Sequence, residues 1–266
     1  MTIWLPRWPV QRRLLERPEL RRRPVFVCRR ERRGVMTVVA WAWAAPPRET
    51  GSPCGPQPGM NLARILPGMS LAEAMAGLAM AHGSRACHIA EVDHDDPVAD
   101  RASLEELARY CRRFSPLVAI EKPALREPAG PECLQVDVTG TSGFFGGEGP
   151  LVRTAVWTLA ARGIHARAAI ADTPAAAWAA AHHTDALHAD SHRSCHPHHS
   201  CQGNATKRKE GRRGSVSRHR QWHRRWHQRW AILPEGLHVQ SLAGLPATAL
   251  RLDTTLLTQL QDVGIE

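Results

Sequence analysis

No apolar run in the chain approaches the ~20 residues that carry a helix across a bilayer. Its opening, MTIWLPRWPVQRR, has prolines and arginines where a secretion signal needs an unbroken apolar stretch. A soluble, cytoplasmic protein without a membrane partner is therefore expected. There is no CxxC pair. The seven cysteines are an odd number and scattered, which fits reduced intracellular thiols better than a disulfide framework. No acidic residue occurs before Glu16, so a strand at the very start can supply no carboxylate. Residues 182–230 have almost no aliphatic side chains, which excludes a core of their own and predicts disorder or a helix that needs a partner.

What is present points to a folded body with a charged insert. The 266 residues suffice for one large domain or two small ones, and a hydrophobic content of 43% suffices for a core. The net charge of +10 is uneven: residues 182–230 hold eleven Lys or Arg against three acids, a net +8, leaving about +2 for the rest. A basic segment on a near-neutral body calls for a polyanion, most often nucleic acid.

Periodicity supplies the elements. TIWL opens the chain, and PVQRRLLE follows as a helix with Pro9 in its first turn. PVFVC and GVMTVVAWAWA read as strands joined by a charged turn, and residues 46–68 as a Pro/Gly loop. SLAEAMAGLAM is a helix capped by Ser70, and CHIAEV a short strand. Leu104, Leu107, Cys111 and Phe114 fall at helical spacing before Pro116. LVAIE and CLQVDVT are strands, and PLVRTAVWTLAARG is a helix ending at Gly163. HARAAIA is a strand, and Thr173-Pro174 opens the next helix. With residues 6–95 set aside, the order is βαββαβ, that of a ferredoxin-like unit. After residue 230 the chain turns globular again, with a helix around Leu256, Leu257 and Leu260.

Four stretches, in this order, resemble the Y-family (UmuC/DinB-type) DNA polymerases and, within them, the ImuB-like branch. They are RPELRRRPVFVC, LPGMSLAEAMAGL, RRFSPLVAIE with LQVDVTG, and ARAAIADTPAAAWAAA; the tail LAGLPATALRL…LLTQLQDVGI resembles the start of the thumb. The resemblance implies an α+β fold. It comprises a ferredoxin-like palm (1–8 and 86–181), an inserted small α/β fingers subdomain (9–85), a disordered basic linker (182–230) and an incomplete helical thumb (231–266). The tail lacks the Gly-x-Gly hairpin of the family's thumb and a visible clamp-binding motif.

In the family, two divalent metals sit on an acid of the first strand and on an Asp-Glu pair five and four residues before a strand Asp. Transferred position by position, the first-strand acid falls at Trp4. Asp137 matches the strand Asp, and the pair falls at Glu132 and Cys133. One carboxylate survives of the set, so the resemblance implies a polymerase fold with its catalytic residues missing and no cofactor. ImuB-like proteins act as adaptors between the replication clamp, an accessory mutasome protein and a catalytic repair polymerase, and these, with DNA, are the implied partners. DNA repair, the SOS response and translesion synthesis are the implied setting.

Two other readings stay open. A weakly active translesion polymerase would use Glu132 and Mg²⁺. A truncated or frameshifted remnant would act only through its basic segment. That segment offers Lys207, Arg208, Lys209, Arg212, Arg213, Arg224, Arg225 and Arg229 for phosphates. Trp222, Trp226 and Trp230, four residues apart, offer one helical face for stacking bases. CHPHHSC, residues 195–201, is too crowded for a finger-type zinc site and is expected to show only incidental metal affinity. Asp137 is expected to cap the turn at Thr139-Gly140, Glu132 to be an exposed loop acid, and Phe144-Phe145 to pack on the neighbouring helix.

Overall fold

The computed structural model describes residues 1–32, 34–43, 65–122, 130–187, 229–251 and 254–264. The strands are β1 (Thr2–Trp4), β2 (Val25–Arg30), β3 (Met36–Ala42), β4 (Glu91–His94), β5 (Val118–Ile120), β6 (Cys133–Val136), β7 (Arg167–Ile170) and β8 (Trp230–Ile232). The helices are α1 (Trp8–Glu16), α2 (Leu71–His82), α3 (Ser84–His88), α4 (Pro97–Cys111), α5 (Glu148–Ala161), α6 (Pro174–His182), α7 (His238–Leu242) and α8 (Thr254–Asp262).

A first sheet has the order β5-β6-β1-β7-β8. Its β5, β6, β1 and β7 pair antiparallel throughout, and with α4 and α5 they realise the βαββαβ order read from the sequence. The short strands are held by what they bury. Ile3, Leu134 and Ala168 face a core completed by Leu104 and Leu107 of α4 and by Leu151, Ala155 and Leu159 of α5. The caps form as expected. Thr173 Oγ accepts from the Ala176 amide at 3.2 Å, and Gly163 closes α5 at φ +79, a backbone region that favours glycine.

The fifth strand was not expected. Residue 230 was assigned to the linker and residues 231–232 to the thumb, yet together they form β8, parallel to β7. Alternation explains the docking: Ala231 and Leu233 bury against Ala169, Ala176 and Ala180, while Trp230 and Ile232 pack toward the main core.

A second sheet has the order β3-β2-β4, with β4 parallel to β2. Its core joins Phe26, Val38 and Trp41 to Leu78 of α2. Ser70 and Glu73 form a reciprocal capping box at the start of α2. Residues 91–94, set aside from the βαββαβ order though counted within the palm bounds 86–181, ladder to Val25–Cys28 in this second sheet.

α1 ties the two sheets. Trp8 belongs to the first core and Val10 packs with Val25 and Val27 of β2. Arg12 Nε and Arg13 Nη1 both donate to Asp100 Oδ1 of α4 at 2.5 Å, and Trp8 Nε1 donates to the Asp100 carbonyl at 2.9 Å. Arg13 Nη2 also donates to the His94 carbonyl at 2.7 Å, and Arg17 pairs with Asp93. Buried guanidiniums are tolerated only with such partners. Among the described residues no helix is long and apolar enough to cross a membrane.

Candidate functional site

Trp4, Glu132 and Cys133, the positions that the resemblance assigns to metal ligands, come together at one end of the first sheet. Trp4 is the direct cross-strand partner of Cys133, and the Leu5 amide donates to the Glu132 carbonyl at 2.8 Å. The Trp4 indole Nε1 donates to Glu132 Oε2 at 3.1 Å, so Glu132 is engaged within the fold rather than standing free as a loop acid.

Trp4 is also one layer of a column. Its ring stacks on His182 at 4.2 Å, and His182 stacks on Trp178 at 3.7 Å, with interplanar angles of 25° and 26°. Guanidiniums close both ends: Arg167 lies 5.6 Å from the Trp4 ring centroid and Arg251 lies 4.7 Å from that of Trp178. Carboxylates anchor these cations, Asp185 to Arg167 at 2.6 Å and Glu121 to Arg251 at 2.5 Å. Cation–ring contacts of this kind contribute about 0.5–2 kcal/mol each, more when desolvated.

The electrostatics follow from burial. His182 Nδ1 lies 2.9 Å from the Trp178 carbonyl, which assigns the proton to Nδ1. Nε2 then faces the Cys133 sulfur at 3.9 Å. Burial, with Arg251, Arg167 and His183 nearby, holds the imidazole down to about 4, so it is neutral at pH 7. Burial pushes the Cys133 thiol well up, and the Glu121 and Glu132 carboxylates push it further; it stays protonated.

This set does not fit a pair of Mg²⁺ ions. Mg²⁺ needs several hard oxygen ligands in octahedral geometry. Here an indole, a protonated thiol and a neutral stacked imidazole occupy the floor. The two carboxylates present, Glu132 and Glu121, already serve Trp4 and Arg251. Among the described residues no group of three His, Cys, Asp or Glu side chains could hold a metal ion.

Above the column, between the two sheets, opens a cleft of about 470 Å³ lined by Trp4, Arg7, Trp41, Glu121, Glu132 and His182, among others. Arg7 takes a left-handed backbone (φ 58°, ψ 45°), a conformation that costs a non-glycine residue about 1–3 kcal/mol. It directs the guanidinium over Trp41, 5.7 Å from the ring centroid.

The other predicted positions separate. Asp137 lies past the opposite end of β6 and caps the turn, its Oδ1 accepting from the Thr139 amide at 2.9 Å; that bond holds the carboxyl below its usual range. Phe145 packs near Phe114, but Phe144 is 89% exposed, so only one of the pair serves the core. Lys207, Arg208, Lys209, Arg212, Arg213, Trp222, Arg224, Arg225, Trp226 and the CHPHHSC stretch lie outside the described residues. Trp230 is a half-buried strand residue, not a rung on a helical face, because its backbone pairs with β7. The Arg229 carbonyl accepts from the Ala168 amide, and burial lowers its guanidinium. Sequence reasoning missed Glu121, Arg167, Trp178, His182 and Arg251. The i,i+4 spacing of Trp178 and His182 was the available signal.

Over 93 residues the chain is 48% identical to Protein ImuB of Caulobacter vibrioides, in strain NA1000 / CB15N and in strain ATCC 19089 / CIP 103742 / CB 15. Over this stretch the chain is similar to the ImuB-type, Y-family polymerase-like proteins. The match spans 35% of this chain and 18% of each ImuB protein, so it covers a small part of those relatives. The Y-family fold extends further. An insertion ternary complex of Dbh DNA polymerase superposes with a TM-score of 0.57 at 13% identity, and DinB from Sulfolobus solfataricus with 0.53 at 11%. Each comparison covers 100% of this chain and 57% of the other. No family model matches the chain.

Proposed function

We propose that this chain is a non-catalytic Y-family-like protein of DNA damage tolerance, working as a DNA-binding or adaptor subunit. Its first sheet corresponds to the palm, its second to the fingers and residues 233–264 to the beginning of a thumb. The observation that carries the reading is the Trp4–Glu132–Cys133 constellation. Where the family's chemistry needs a cluster of free carboxylates, this fold has a hydrogen-bonded indole, a protonated thiol and an aromatic column. Without the metals there is neither an activated primer hydroxyl nor a charge clamp on the triphosphate. The retained fold then serves to hold DNA or to present surfaces to other members of a repair assembly. A replication clamp, an accessory mutasome protein and a catalytic repair polymerase are the partners the ImuB likeness suggests.

The test is a binding titration on a primer–template in the presence and absence of Mg²⁺ and the templated nucleotide. The reading expects DNA binding that falls with salt and does not tighten when nucleotide is added. Nucleotide-dependent tightening would favour the active-polymerase reading.

A further inference from the structure

Away from the cleft, where α4 ends, four arginines gather around Tyr110. Arg109, Arg112 and Arg113 are exposed on the last turn of α4 and just beyond, and Arg162 is exposed at the end of α5. Tyr110 organises two of them. The Arg113 guanidinium lies 3.5 Å from the ring centroid and Nη1 donates to the phenol oxygen at 2.8 Å. The Arg162 guanidinium lies 4.1 Å from the same centroid. None of the four forms an ion pair with a carboxylate among the described residues. One turn back on α4, Glu105 is taken by Arg101 at 3.1 Å, and the exposed Glu106 is ion-paired to none of the four, which leaves one acid against four cations here.

Arg162, held face-on to the ring, keeps an in-plane N–H edge that matches two oxygens of a phosphate, whereas Arg113 also gives Nε to the Tyr110 carbonyl at 3.2 Å and offers its charge and Nη2. Like charges brought this close repel one another, and a polyanion relieves the repulsion. Both Arg113 and Arg162 are near enough to act on the buried Cys111 thiol, which burial raises to about 12 against their pull.

We propose that this Tyr110-centred cluster is a second docking surface for the phosphate backbone of nucleic acid, separate from the cleft and from the basic segment. A nucleic-acid backbone is favoured over an acidic protein because the segment 182–230, at a net +8, calls for the same polyanion, and one regularly charged strand can serve both. That choice rests on the DNA-binding part of the proposed function.

The experiment is fluorescence anisotropy of labelled single- and double-stranded oligonucleotides with the full chain, from about 50 to 200 mM salt. The variant Arg109→Gln/Arg112→Gln/Arg113→Gln/Arg162→Gln is expected to lower the slope of log K against log salt by roughly 3, at about 0.7–0.9 per lost phosphate contact. Should that variant fail to fold, Arg109→Gln/Arg112→Gln leaves Tyr110 and its stacked partners intact and is expected to lower the slope by roughly 1.5. A parallel variant with Lys207, Arg208, Lys209, Arg212 and Arg213 changed to Gln reads the segment separately. A slope that changes only in the segment variant overturns the proposal and leaves the DNA-binding reading standing. No DNA binding by the unmodified chain overturns both. Polyglutamate capture that is lost in the four-arginine variant, with the DNA slope unchanged, assigns the surface to an acidic protein and also overturns it.

Discussion

Replacing His182 by Phe keeps the stacked column and removes its proton site, which makes the column's electrostatics measurable. In the folded protein the imidazole is held at about 4, against about 6.5 for an ordinary histidine. A base whose folded value is depressed stabilises the fold above its unfolded value and loses that contribution as pH falls toward the folded value. The window is therefore about pH 6.5 down to 4. The full shift corresponds to about 3 kcal/mol at about 1.4 kcal/mol per unit. Because the ring is partly open to the cleft, about 2 kcal/mol at pH 4.5 and about 1 kcal/mol at pH 5.5 are the expected values. The groups around it are fixed in sign: Arg167, Arg251 and His183 oppose protonation, and Glu121, Glu132 and Asp185 lie next to its neighbours. The assay is urea unfolding of both proteins at several pH values. His165 and His183 are also depressed and titrate in both proteins, so only the difference between wild type and His182→Phe is read. Wild-type stability should fall more steeply than the variant's below pH 6.5. Parallel pH profiles would refute the buried, neutral His182.

Three further outcomes are expected. Asp100→Ala leaves Arg12 and Arg13 buried without their shared carboxylate and should cost about 3–5 kcal/mol, read as a lowered denaturation midpoint. Gly163→Ala places a side chain at φ +79 with the Arg21 guanidinium 2.8 Å from the new carbon; a loss of about 1–2 kcal/mol should appear in thermal unfolding. Ser70→Ala removes one half of the capping box and should cost about 1 kcal/mol, checked by the same melt.

Local chemistry made several elements legible in advance. Ser70, Thr173-Pro174 and Gly163 announce helix ends through their own hydrogen bonds and backbone preferences, and all three act as read. The alternation in β6 and the helical spacing of Leu104, Leu107 and Cys111 likewise depend on neighbours in sequence. What escaped is non-local. β8 is three residues long, too short to show a period, and its pairing with β7 crosses about sixty residues of sequence. β4 reads as a strand from its residues, but nothing local says which sheet it joins.

The site divides the same way. Trp4, Glu132 and Cys133 were found by aligning positions, and their mutual contact needed the fold. His182 was hidden because it opens a histidine-rich stretch, so composition grouped it with the linker. Its ring in fact belongs to the column, held there by α6. Arg251 and Glu121 reach the site only through tertiary packing, and no spacing rule connects them.

The most direct measurement is primer extension by the purified chain with Mg²⁺ and, separately, with the more permissive Mn²⁺, alongside Glu132→Ala. The account predicts no templated incorporation by either protein with either metal. Templated incorporation by the unmodified chain that disappears in Glu132→Ala would contradict it.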